Sequence, residues 1–210
     1  MIRVRGPARS GTMVSMNADQ VAALSALLGP SGWLARTDEF ARALRVSART
    51  PGGLLLVGTP GDEPWHLTAH LTDESDLAGL PGLAPTLVRW SPPPDAPAHL
   101  RVGLARLEAA SRGETLLVVS AAAAPAPLLE RVDGARRTGA TILALDADDP
   151  ELEYLAHESL TVSAAPGRVS FDAAQHLVSA AAGGQRAGKA GPRQRLARLL
   201  AKLSGAAPEE

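Results

Sequence analysis

Cysteine is absent from the 210 residues. That excludes disulfides, thiolate catalysis and cysteine-based metal sites, and fits a reducing compartment. Aromatics are scarce, with three tryptophans, two phenylalanines and one tyrosine, so the core must be built from leucine, valine and alanine. No apolar run reaches the ~18 residues that a membrane-spanning helix needs. Charge of one sign is lacking too. The formal net charge of -1 gives no electrostatic reason to expect nucleic acid or an anionic membrane surface as partner. Residues 1–16 are basic, but no apolar segment follows them. They predict a disordered extension rather than a secretory signal, with Met13 and Met16 as alternative starts, and the expected location is cytoplasmic.

What is present is a hydrophobic fraction of 45% with a mean hydropathy of +0.01, the balance of a water-soluble globular chain. Its rhythm is clearest from Thr115 to Val162. An apolar run, Thr115 to Ser120, leads into an amphipathic segment that ends at Arg137 before Gly139. Thr141 to Leu145 is a second run, and an acidic loop and a further helical stretch lead to a third, Leu160 to Val162. Strand, helix, strand, helix, strand with tight links predicts right-handed parallel crossovers.

Upstream, Asn17 can cap a helix over Ala18 to Leu28, and a second helix is predicted from Gly32 or Trp33 to Ser47, with Leu34, Phe40, Ala41 and Leu44 inward. Leu54 to Val57 is apolar throughout, as a central parallel strand covered on both faces must be. A helix is expected from Glu63 through Leu71, capped by Asp62. Thr86 to Trp90 predicts a strand nearer an edge, because Arg89 interrupts it. Ser91 to Asp95 contains three prolines and must be loop. Leu100 to Ala110 predicts a helix with Leu104 and Leu107 inward. Phe171 to Ala182 predicts the last packed helix, capped by Ser170 or Asp172. The chain thus divides into an extension (1–16), one α/β domain (17–182), a flexible linker (183–191) and a short amphipathic helix (192–204). In that helix Leu196, Leu199, Leu200 and Leu203 form an apolar stripe, and Arg195, Arg198 and Lys202 line the other face. It is the candidate partner-binding element, docking on the domain, on a dimer mate or on another protein.

Five parallel strands of this order predict a flavodoxin-like three-layer sandwich, whose ligand crevice opens at the carboxyl ends of the strands, beside the switch point. That joins the loops after Val57, Ser120 and Leu145. Asp146, Asp148 and Asp149 lie there. They could bind a hard cation, but a solvated turn with Asp149-Pro150 opening a helix explains them as well. His66 and His70 are spaced i, i+4 as a zinc pair can be, yet lack the glutamate of the metalloprotease pattern. His157 and His176 stand alone, and no motif selects Glu63 or Glu130 as a base. No metal and no cofactor are expected.

The order of elements and the stretches Ala135-Arg136-Arg137-Thr138-Gly139-Ala140 and Pro150 to His157 resemble the sugar isomerase (SIS) domain family, over roughly Ala18 to Ala182. The resemblance implies a dimer and a phosphosugar ligand, with either isomerase or sensor activity. It places ligand contacts at Gly58, Thr59 and Ser120, and the crevice adds Asp146. The family's Ser-x-Ser-Gly-x-Thr-x-Glu loop is altered here, however. Ser120 keeps the first serine, while Ala122, Ala123, Pro125 and Pro127 replace the second serine, glycine, threonine and glutamate. In the loop after the first strand, Gly58 survives, but Pro60 and Asp62 stand at a glycine and a serine. A phosphate site needs converging amides and hydroxyls, and these changes remove both. Three readings follow. The first is a non-catalytic, dimeric interaction or regulatory protein, a pseudoenzyme. The second is a sensor or binding protein for a sugar phosphate or related carbohydrate derivative. The third is a phosphosugar aldose–ketose isomerase.

Overall fold

The computed structural model describes residues 32–163 and 169–184. The helix predicted over Ala18 to Leu28, the predicted extension, most of the predicted linker and the basic helix predicted at 192–204 lie outside the described residues.

The first described helix, α1 (Trp33–Ser47), buries Trp33, Thr37, Phe40, Ala41 and Leu44 along one stripe. Strand β1 (Leu54–Val57) is buried on both faces. Helix α2 (Trp65–Ala78) follows, then β2 (Thr86–Val88), the single turn α3 (Ala105–Glu108) and β3 (Thr115–Ser120). Helix α4 (Ala126–Arg137), β4 (Thr141–Asp146), α5 (Pro150–Leu155), β5 (Glu158–Thr161) and α6 (Phe171–Gly183) complete the chain. The five strands form one parallel sheet in the order β2-β1-β3-β4-β5. The chain runs outward from β1 to β2 and then crosses to β3 on the other side, so the switch point lies between β1 and β3.

Alternation along the strands feeds two hydrophobic layers. Leu54, Leu56, Leu117, Val119, Leu143 and Leu145 pack against α1, α2 and α6. Leu55, Val57, Leu116, Val118, Ile142 and Ala144 pack against α3, α4 and α5. Apart from Trp33 and Phe40 in the α1 layer, the buried core is aliphatic because the chain has so few rings to offer, and each buried leucine or valine contributes about 1.5–3 kcal/mol.

Several boundaries differ from the sequence expectation. Helix α2 starts two residues after Glu63, because Pro64 occupies the cap position, and it continues to Gly79, whose left-handed φ of 61° ends it. Asp62 is not its cap; its amide closes a turn onto the Thr59 carbonyl at 3.2 Å. The helix predicted from Leu100 to Ala110 shrinks to one turn. The preceding Val102–Gly103 is drawn into the sheet margin, where the Arg89 amide donates to the Val102 carbonyl at 2.8 Å. Strand β5 begins at Glu158, earlier than the apolar run suggested, since an edge strand can leave Glu158 in water.

Candidate functional site

The carboxyl ends of the strands carry the loops in which sequence reasoning placed a ligand. Gly58 follows β1 directly and is buried. A Cβ at Gly58 would lie 2.2 Å from the Asp62 carbonyl oxygen and 2.7 Å from Pro64 Cδ. The loop therefore doubles back tightly on itself, and packing alone requires glycine there. The Gly58 carbonyl accepts a hydrogen bond from the Trp90 indole at 2.8 Å. Thr59 is half-buried, paired across the turn with Asp62.

Ser120 and Asp146 are register partners at the ends of β3 and β4, and both are buried. The Ser120 hydroxyl donates to the Ala122 carbonyl within its own loop. Asp146 Oδ1 accepts from the amides of Asp148 at 2.9 Å and Asp149 at 3.1 Å. Its Oδ2 is buried and has no hydrogen-bond partner among the described residues. Burial pushes the Asp146 carboxyl above the usual range, against the pull of the Asp149 and Asp148 amides. Asp149 caps α5 by accepting from the Glu151 and Leu152 amides, each at 3.1 Å. Its other oxygen accepts from the Ala124 amide at 2.7 Å. The aspartates thus form the turn and cap of the blander expectation, and that cap ties down the alanine-rich loop after β3.

The other candidates are scattered. His157 immediately precedes β5 at the amino end of the sheet, away from the crevice, and its Nδ1 accepts from the Ile142 amide at 2.9 Å. Glu130 is exposed on α4. His70 on α2 and His176 on α6 meet edge to face with ring centroids 4.5 Å apart. Among the described residues no group of three or more histidines, aspartates or glutamates is arranged to hold a metal. Arg195 to Leu203, expected from the sequence to bind a partner, lie outside the described residues.

A cluster that sequence reasoning did not assemble sits at the β1–β2 side. Glu63 Oε2 accepts from Arg89 Nε at 2.9 Å, and its Oε1 accepts from the Trp90 amide at 3.0 Å. The Arg89 guanidinium lies over the Trp65 ring, 4.6 Å from its centroid. With Pro60, Gly61, Asp62 and Ser91, these residues line an open cleft of ≈ 570 Å³. The Arg89 interruption of an otherwise apolar strand was the one signal of it. Nothing in the spacing joined Arg89 to a glutamate and a tryptophan across the sheet edge.

Fold and site together define a three-layer α/β protein with an all-parallel five-stranded sheet and an irregular loop crown over its carboxyl edge. Solved structures share this architecture. One is a proposed phosphosugar isomerase from Silicibacter pomeroyi DSS-3, with 17% identity, a TM-score of 0.53, and alignment over 89% of this chain and 54% of that one. Another is a proposed sugar-binding protein from Salmonella typhimurium LT2, with 15% identity, a TM-score of 0.50, and alignment over 84% of this chain and 54% of that one. The chain spans about half the length of either protein. At such identities the likeness is one of fold, and that fold is the sugar-isomerase-like one the SIS resemblance implied. No family model and no curated protein matches the chain.

Proposed function

We propose that this chain is a non-catalytic protein on a sugar-isomerase-like frame, serving as a dimeric interaction or regulatory module whose phosphosugar loop has been lost. The observation that carries this reading is the Ser120 hydroxyl, the last one kept at the loop position, which donates to Ala122 inside its own loop. Pro125 and Pro127 bring no amide to an anion, and the exposed Asp62 carboxylate would repel one. The described domain would belong to one unit over 17–182, with the linker and the basic helix at 192–204 presenting Arg195, Arg198 and Lys202 to a partner. A cytoplasmic location agrees with the fact that no helix among the described residues is long and apolar enough to cross a membrane.

The test is a thermal-shift screen of the full chain against sugar phosphates and nucleotide sugars. A ligand at about 100 times its Kd would stabilise the fold by about 2.7 kcal/mol, and the expected result is no shift. Stabilisation by a sugar phosphate that Ser120→Ala or Thr59→Ala abolishes would replace this reading with the sensor. Turnover of an aldose–ketose phosphate pair would replace it with the isomerase. Sedimentation should give a dimer at micromolar concentration, and a monomer there counts against the dimeric part. A pull-down partner that is lost on deleting residues 192–204 is the expected sign of the basic helix at work.

A further inference from the structure

At the switch point Ser120, Asp146 and Asp149 are engaged by backbone groups of the surrounding loops, whereas the cleft at the β1–β2 side is open and carries several side chains with unused hydrogen-bonding capacity. Trp65 is 39% exposed although tryptophan is usually well covered, and Arg89 rests against its ring. The guanidinium is held by Glu63 through Nε alone. Its two terminal nitrogens have no partner among the described residues. Side chains of Glu63 and Arg89 are 14% and 18% exposed, so the donor fork is fixed by packing before any ligand arrives. Asp62 and Ser91 add an exposed acceptor and an exposed hydroxyl at the rim.

Charge decides what such a cleft can take. Glu63 neutralises Arg89 at 2.9 Å, which leaves the Asp62 carboxylate unbalanced, and among the described residues no lysine and no second arginine lines the walls. A phosphate dianion meets net repulsion there. An uncharged ring with one apolar face and hydroxyls on its edge meets none. Its face can lie on indole, its hydroxyls can donate to Asp62, and they can accept from the free nitrogens of Arg89. The volume lies inside the range of small-molecule clefts, about 300–1,000 Å³.

We propose that this cleft is a binding site for an uncharged, polyhydroxylated ring ligand, of which a free monosaccharide and a nucleoside are the two sources to separate. The site goes beyond the proposed function and shares no residue with the loop after β3. Asp62 enters both arguments, but failure here leaves the scaffold reading standing, because that reading is tested through sugar phosphates and their loss in Ser120→Ala or Thr59→Ala, neither of which lines the cleft.

The experiment is a titration of the full chain followed by tryptophan emission, with free monosaccharides, nucleosides and the phosphate esters of both as separate arms. Trp33 is 3% exposed, so the response reports on Trp65 and Trp90. A saturable change is expected with one uncharged class, weaker by about tenfold for its phosphate ester. Trp65→Ala, a surface change that keeps Trp90 as reporter, should weaken uncharged binding by about tenfold or more. Asp62→Asn should narrow the gap between ester and free ring. Equal or tighter binding of the esters overturns the charge argument. The site itself is overturned by the absence of any saturable response up to about 100 mM, or by affinities that neither variant changes.

Discussion

Gly58 and Asp146 occupy neighbouring strand ends and are constrained for different reasons. At Gly58 the constraint is steric. Any Cβ meets the Asp62 carbonyl backbone at 2.2 Å, and backbone cannot swing aside as a long side chain could. Gly58→Ala is expected to cost about 1–3 kcal/mol, the range of overpacked interiors, read as a lowered midpoint in urea unfolding. At Asp146 the constraint is electrostatic. Its folded carboxyl titrates above the ordinary value, chiefly through burial. The folded chain therefore holds its proton into a pH range where the unfolded chain has already released it. Stability contributed by the protonated form is lost as pH rises through that window, and at neutral pH the buried charge weighs against folding. Asp146→Asn keeps the Oδ1 acceptor for the Asp148 and Asp149 amides and removes the charge. The variant should be more stable than the parent at about pH 7, with the advantage shrinking towards about pH 4. An advantage that grows on acidification would contradict the assignment.

Helices α2 and α6 pack side by side with His70 and His176 edge to face between them. Burial lowers both pKa values. His70 also depresses His176, and His66 depresses both, while Asp172 acts in the opposite sense on both and Asp73 on His70. A histidine held below its unfolded value binds fewer protons when folded. Its contribution is therefore intact above about 6.5 and is lost as pH falls through that value towards the folded one. The thermal midpoint should drop between about pH 7 and pH 5, and His70→Phe, which keeps an edge-to-face contact, should flatten that drop. An unchanged slope would mean that other groups control the acid limb. Much at this scale was legible in the sequence. The runs Leu54–Val57 and Thr115–Ser120 are apolar on both faces, and only a central parallel strand explains that. Arg137 before Gly139 marked the end of α4, and Ser170 capped α6 as its side chain suggested. What escaped depended on contacts between distant segments. Val102 left the helical pattern because Arg89 needed an acceptor, and the cleft arose from Glu63 reaching Arg89 and Trp90 across the sheet edge. Periodicity carries no information about such pairs.

For the molecule as a whole, the central strand β3 couples the two layers. Leu117 faces α1, α2 and α6, whereas Leu116, its neighbour in sequence, faces α3, α4 and α5, and both are fully buried. Truncating either leaves a cavity that the neighbouring strands β1 and β4 can only partly close. Leu116→Ala and Leu117→Ala should each cost about 2–5 kcal/mol. If the sheet unites the layers into one cooperative unit, neither loss can stay in its own layer. Trp33 is buried in the α1, α2 and α6 layer and provides a local probe of it, while the far-ultraviolet circular dichroism signal sums helices from both. In a chain carrying Trp65→Phe and Trp90→Phe, where Trp33 is the remaining indole, Leu116→Ala touches only the opposite layer and should therefore shift the near-ultraviolet transition by as much as the far-ultraviolet one. Transitions that separate in Leu116→Ala but coincide in Leu117→Ala would show two layers that unfold independently, and the single domain proposed for 17–182 would have to be divided.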